Sequence, residues 1–218
     1  MKASDKKGLF ITLEGGDGAG KSTQIRNIES FFAERGMLVL HTREPGGTPI
    51  GEKLRDILLD RENGEMDAVT EMLIYAASRA QHVREVIIPA LERGEVVICD
   101  RYTDSSVAYQ GFGRKLGDVV EKVNREATGG LEPDITFWLD IDPEAGRARA
   151  ARAGEPDRLE KEALEFHYRL YEGYKALAAK YPERIKRIDA SETPEAMAEK
   201  ICEYLEALCT DRQLAEDL

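Results

Sequence analysis

The chain has 218 residues, 42% of them hydrophobic, and a formal net charge of −11. That length can bury a large core and is most simply one α/β domain spanning 1–218, while the acidic balance excludes nucleic acid or an acidic membrane surface as a general partner. Three cysteines (Cys99, Cys202, Cys209) and three histidines (His41, His82, His167) show no metal-ligand spacing, and the odd cysteine count argues against a disulfide framework and for a reduced, cytoplasmic protein.

The first residues carry no apolar signal-peptide core, no apolar run approaches the ~20 residues of a membrane span, and 1–7 and 210–218 are expected to fray. Leu9–Leu13 reads as a buried strand. It is followed by a glycine-rich loop and then by a helix expected over Thr23–Arg35, with Ile25, Ile28, Phe31 and Phe32 at helical spacing. A second strand, Leu38–His41, runs into Thr42-Arg43-Glu44-Pro45-Gly46-Gly47-Thr48. Ile50–Leu59 is helical, and Thr70–Arg93 is either one long helix or a broken pair, with Pro89 near its end. A third strand, Val96–Cys99, runs into Asp100-Arg101-Tyr102; Ile135–Ile141 and Ile185–Ile188 complete the set. Five such runs separated by helical patterns imply a three-layer α/β/α domain around a five-stranded parallel sheet. Ligands in such sheets bind beyond the carboxyl ends of the strands, where these polar stretches fall.

The glycine-rich loop, Gly15-Gly16-Asp17-Gly18-Ala19-Gly20-Lys21-Ser22 with Thr23 after it, fits G-x-x-x-x-G-K-[ST] between a strand and a helix. In that context backbone N–H groups and the helix dipole converge on phosphate oxygens. Lys21 reaches the β- and γ-phosphates and the Ser22 hydroxyl ligates Mg²⁺, so the loop predicts a nucleoside triphosphate site of phosphate-loop NTPase type. Asp100 closes a hydrophobic strand that should neighbour the loop, the arrangement that holds Mg²⁺ or its water shell. Arg101 beside it offers a guanidinium fork for an acceptor phosphate. Arg149 and Arg152 are three apart and share a helical face, and the Gly-Glu-Pro break after them points to a helical lid, 143–158, whose arginines close over the triphosphate. No paired carboxylates and no Ser/His/Asp or Cys/His nucleophile set stand out. An acceptor phosphate needs neither, being already an anionic nucleophile. A phosphate-loop GTPase switch would need an Asn-Lys-x-Asp stretch, which is absent from the sequence.

These motifs, together with Arg79-Ala80-Gln81-His82, Ser105-Ser106, Tyr109-Gln110-Gly111 and Gly154-Glu155-Pro156-Asp157-Arg158 in matching order and spacing, resemble the bacterial thymidylate kinases, phosphate-loop nucleoside monophosphate kinases, from Phe10 to about Leu208. The resemblance implies ATP as phosphoryl donor, dTMP as acceptor, Mg²⁺, a role in dTTP biosynthesis, and a homodimer. It also implies that Arg79 hydrogen-bonds the thymine carbonyl, that Tyr75 stacks on the base, that Ser105, Ser106 and Gln110 border the acceptor, and that Tyr109 crowds the sugar. By the same resemblance Asp17 lies near the acceptor's 3′-hydroxyl, Arg43 and Glu44 lie on the acceptor side, and the lid arginines Arg149 and Arg152 replace an arginine that other relatives carry inside the loop.

Overall fold

The computed structural model describes residues 7–151 and 157–212. Five strands, β1 (Phe10–Glu14), β2 (Val39–Arg43), β3 (Val96–Asp100), β4 (Ile135–Asp140) and β5 (Ile185–Asp189), form one parallel sheet in the order β2-β3-β1-β4-β5. Every connection between these parallel strands crosses over through helix. In the centre Leu13 pairs with Asp100 of β3 and with Phe137 of β4. The ends of β1 and β3 therefore lie side by side, as expected for an acid serving a phosphate loop.

Helices cover both faces, so the central strands are apolar along their length rather than alternating. Residue parity then decides which layer each side chain enters. Ile11 and Leu13 meet Ile25, Ile28 and Phe32 of α1 (Lys21–Ala33) and Met197, Ile201 and Leu205 of α9 (Pro194–Asp211). Phe10, Val97 and Cys99 face the other way, against Val83, Ile87 and Leu91. Trp138 is covered on that side by Phe166, Leu170 and Tyr174 of α8 (Leu164–Lys180). Each large apolar side chain buried in this way contributes about 1.5–3 kcal/mol.

The helix after the loop starts at Lys21 rather than Thr23 and ends at Ala33. Gly20, at φ 93°, takes the N-cap in a left-handed conformation that only glycine adopts without strain, and this draws Lys21 and Ser22 into the first turn. Thr70–Arg93 is one continuous helical run: α3 (Ala68–His82) passes through a π-helical turn at Val83–Ile87 into α4 (Ile88–Glu92). Pro89 sits in the first turn of α4, where the wider turn before it accommodates the missing N–H. Beyond β2 lies α2 (Pro49–Leu59), capped by the Thr48 hydroxyl. After β3 come a single-turn helix α5 (Thr103–Ser106), a π-helical stretch Val107–Gly113, and α6 (Val119–Thr128). Of the expected lid, α7 (Pro143–Ala150) is described, capped by Asp142, whereas 152–156 lie outside the described residues. At the C-terminus α9 runs through Asp211, into the stretch expected to fray. Among the described residues no helix is long and apolar enough to cross a membrane.

Candidate active site

Where β1 ends, the chain turns through two glycines that admit no side chain. A Cβ on Gly15, at φ 138°, would lie 2.6 Å from the Leu139 carbonyl oxygen, and one on Gly18, at φ 75°, would lie 2.2 Å from that of Gly146. Gly146 belongs to α7 and is itself tight, a Cβ there meeting the Asp17 carbonyl oxygen at 2.8 Å. Helix α7 is thus seated directly on the loop by glycine-to-backbone packing. Lys21 Nζ lies 3.3 Å from the Gly15 and Gly16 carbonyl oxygens. Burial and the nearby Arg101 pull its ammonium below the usual lysine range, while Asp100, Asp17 and Glu14 oppose them.

A cavity of about 540 Å³ opens in front of this loop. Its loop wall is Asp17, Gly18, Gly20, Lys21, Ser22 and Thr23. Gly15, Gly16 and Ala19 of the motif do not line it. Gly15 instead turns its carbonyl inward to Arg101 Nη1 at 2.8 Å, and Ala19 is buried in the core. Arg101 leaves β3 at φ 69°, an unusual conformation for a residue with a side chain, and its Nη2 holds Asp17 Oδ1 at 2.7 Å. Burial pushes the Asp17 carboxyl up, but Arg101 and Lys21 outweigh it and hold it below the usual range. Asp100 lines the same cavity as Ser22, and its Oδ1 is buried without a hydrogen-bond partner among the described residues. A carboxylate oxygen left bare at a cavity that the Ser22 hydroxyl also borders suits a hard cation such as Mg²⁺.

At the far end, α3 presents Tyr75 and Arg79 one turn apart on one face, and both line the cavity. The Arg79 side chain is 2% exposed and is locked from all sides. Nε donates to Glu44 Oε2 at 2.6 Å, Nη1 to Ser106 Oγ at 2.8 Å and to Asn124 Oδ1, and Nη2 to the Tyr102 carbonyl at 2.9 Å. One N–H on Nη2 remains. Glu44 is braced in turn by His82 Nδ1 at 2.9 Å, whose other ring nitrogen meets Thr42 Oγ1 at 2.7 Å. Gln110 borders the cavity with its amide donated to Glu71 at 2.9 Å. Burial raises the phenols of Tyr75 and Tyr109 above their ordinary range, so both stay neutral.

The structure brings Asp17, Lys21, Ser22, Glu44, Tyr75, Arg79, Asp100, Arg101, Ser105, Ser106, Tyr109, Gln110 and Arg149 to this one cavity. It does not bring Arg43. That guanidinium is exposed and holds the turn from behind, through the Pro45 carbonyl and Glu52. Arg55, one helical stretch on, lines the cavity where Arg43 was expected, and it too donates to the Pro45 carbonyl. Arg149 sends Nη1 to the Ala190 carbonyl, just beyond β5, at 2.8 Å. Arg152 lies outside the described residues. Sequence reasoning assigned no part to Asn124, Arg55 or Glu14. For Glu14 a signal existed, an acid closing an apolar strand immediately before the loop. For Asn124 there was none.

The matching protein-family model is "Thymidylate kinase", over residues 13–201. A thymidylate kinase of Lactobacillus delbrueckii subsp. bulgaricus is 52% identical over 200 residues, 89% of this chain and 94% of that protein. One of Deinococcus radiodurans is 50% identical over 196 residues, 89% of this chain and 95% of that protein. Among solved structures, thymidylate kinase from Ehrlichia chaffeensis superposes with a TM-score of 0.75 at 30% identity, covering 91% of this chain and 98% of that one. The family's match thus spans the phosphate loop, the Arg79 network and α7 alike, and this chain belongs to the thymidylate kinase family.

Proposed function

We propose that this chain transfers the γ-phosphoryl group of ATP to the 5′-phosphate of dTMP, giving ADP and dTDP on the route to dTTP. The observation that carries this reading is the convergence, in one cavity, of a phosphate loop, the Arg101–Asp17 pair and the Tyr75–Arg79 face. The loop N–H groups and the N-terminal dipole of α1 hold the donor's phosphates, and Lys21 gains negative neighbours that favour its ammonium form. At the other end Tyr75 stacks on thymine, and the remaining Nη2 hydrogen of Arg79 and the Ser106 hydroxyl meet the base edge. Tyr109 stands where a 2′-hydroxyl would fall. Arg101, with Arg55 nearby, holds the acceptor phosphate, and Asp17 reaches the 3′-hydroxyl.

An oxygen of that phosphate attacks Pγ in line as the bond from Pγ to the β,γ-bridging oxygen breaks, with its electrons leaving on ADP. The nucleophile is already anionic, so the protein supplies alignment and positive charge, not a base. Ser22 and Asp100 fit Mg²⁺, which when bound neutralises charge on the β- and γ-phosphate oxygens. Arg149 and Arg152 add positive charge from the lid side.

The chain works as one cytoplasmic domain and pairs as a homodimer. Ile50 and Ile57 on α2 and Val69 and Leu73 on α3 stand exposed on two helices that pack together, an apolar patch that a second copy would cover. ADP release with ATP and Mg²⁺ across dTMP, dUMP, dCMP, dGMP and thymidine tests the activity. Turnover confined mainly to dTMP supports it, whereas preference for another acceptor would overturn the assignment of Tyr75, Arg79 and Tyr109.

A further inference from the structure

One buried charge takes no part in these steps. Glu14 is the last residue of β1, is fully buried, and directs its carboxylate under the turn that follows β3. Oε1 accepts the Tyr102 backbone N–H at 2.8 Å. Oε2 accepts the Ser105 hydroxyl at 2.5 Å and the Tyr174 hydroxyl at 3.0 Å. Between these contacts sits Arg101, whose backbone is left-handed at φ 69° and whose Nη1 lies 3.4 Å from Ser105 Oγ and 3.5 Å from Tyr174 OH. A side-chain-bearing residue in that conformation is strained and persists only where its surroundings enforce it. The Tyr102 N–H bond to Glu14, one residue beyond the strained φ, is such a constraint.

The second constraint is one of polarity. An ionised carboxylate only accepts, so it draws the single hydrogens of Ser105 and Tyr174 toward Oε2, in competition with the 3.0 Å contact between the two hydroxyls, and leaves hydroxyl lone pairs facing the Arg101 guanidinium. We propose that Glu14 is a positioning residue for the acceptor-phosphate clamp: through Tyr102, Ser105 and Tyr174 it fixes both the backbone and the guanidinium of Arg101. The proposal rests on reading Arg101 as the ligand of the dTMP phosphate.

Glu14→Gln tests it with little change of volume. The amide oxygen must stay with the Tyr102 N–H, so the amide NH₂ faces Ser105 and Tyr174 and reverses the direction of both hydroxyls. Dissociation constants for dTMP and for thymidine, which lacks the phosphate, measured at pH 8, separate a clamp effect from a general one. The wild type is expected to prefer dTMP, and E14Q to lose at least tenfold of that preference while binding thymidine within about twofold of wild type. Tyr174→Phe, which leaves the Tyr102 bond in place, is expected to lose a few-fold in the same direction, and it decides the matter if E14Q does not fold. An unchanged dTMP-to-thymidine ratio, or equal loss for both ligands, would overturn the proposal. A wild type with no preference for dTMP over thymidine would instead overturn the reading of Arg101 on which it rests.

Discussion

A carboxylate buried as deeply as Glu14 should burden the fold at neutral pH, and the burden can be measured. Burial first, and then the neighbouring Asp104, raise its pKa from 4.5 to about 7, against the opposing pull of Ser105, Arg101 and the Tyr102 N–H. The other charges around it are Arg184, which is bidentate to Asp104, and Lys21. Because the folded state holds the proton more tightly than the unfolded chain, this group's contribution is most favourable below pH 4.5 and is lost as pH rises through 7. The full loss is about 3 kcal/mol, most of it between pH 5 and 8. E14Q has no such proton to lose. Urea unfolding of wild type and E14Q, followed by the fluorescence of the single tryptophan, Trp138, which is buried against Tyr174, reads the difference directly. The stability of wild type relative to E14Q is expected to fall by about 2–3 kcal/mol from pH 5 to pH 8. Subtracting the two curves removes the opposite titrations of Asp17 and Glu71, whose pKa values are lowered. A difference independent of pH, or one that rises with pH, would mean that Glu14 is ionised at little cost.

Four further outcomes follow from the same geometry. Lys21→Ala is expected to abolish turnover while leaving dTMP affinity nearly intact in calorimetry; a wild-type kcat would remove Lys21 from the chemistry. Arg79→Lys keeps a cation beside Glu44 but cannot span the partners of the guanidinium, so kcat/KM for dTMP should fall by roughly fivefold to 150-fold, about 1–3 kcal/mol of transition-state binding. Equal loss toward every nucleotide would make Arg79 structural. Arg149→Ala should lower kcat more than it raises KM for dTMP, and the reverse pattern in steady-state kinetics would place Arg149 on the acceptor side. Leu73→Glu sets a charge in the exposed α2–α3 patch, and light scattering is expected to report monomers; an unchanged mass, or a monomeric wild type, would locate pairing elsewhere or exclude it.

Much of this was legible in the sequence because it is local. The strand-loop-helix around Gly15–Ser22 is fixed by glycine positions and apolar spacing, and Tyr75 and Arg79 are one turn apart on any helix. What stayed hidden depends on contacts across the fold. Asn124 reaches Arg79 only because α6 packs on α3. The family resemblance puts Arg43 on the acceptor side, but the turn after it uses that cation as its own brace, and Arg55, on the next helix, lines the cavity instead. The helix through Pro89 was ambiguous because a proline inside an apolar helical pattern signals a break unless a π turn precedes it, and nothing in the spacing of Val83–Ile87 announces one.

An acidic protein that handles polyanionic substrates must keep its cations aimed without letting the wrong anions satisfy them. Here several arginines in and around the cavity are held by carboxylates, Arg79 by Glu44, Arg101 by the half-buried Asp17 and through its neighbours by Glu14, and Arg158 and Arg114 by Glu71, while Arg55 and Arg149 are held by backbone carbonyls. A buried ion pair adds little net stability, but removing one partner costs about 3–5 kcal/mol, so such pairs fix geometry more than they stabilise the fold. The fixed geometry serves phosphoryl transfer, since charge already in place need not reorganise as the transition state forms. The same arrangement explains how a chain of net charge −11 attracts a nucleotide: the field that matters is set within a few ångströms by arginines in fixed orientations. It follows that neutralising exposed acids far from the cavity should leave KM for dTMP nearly unchanged at physiological ionic strength, where the Debye length is about 8 Å.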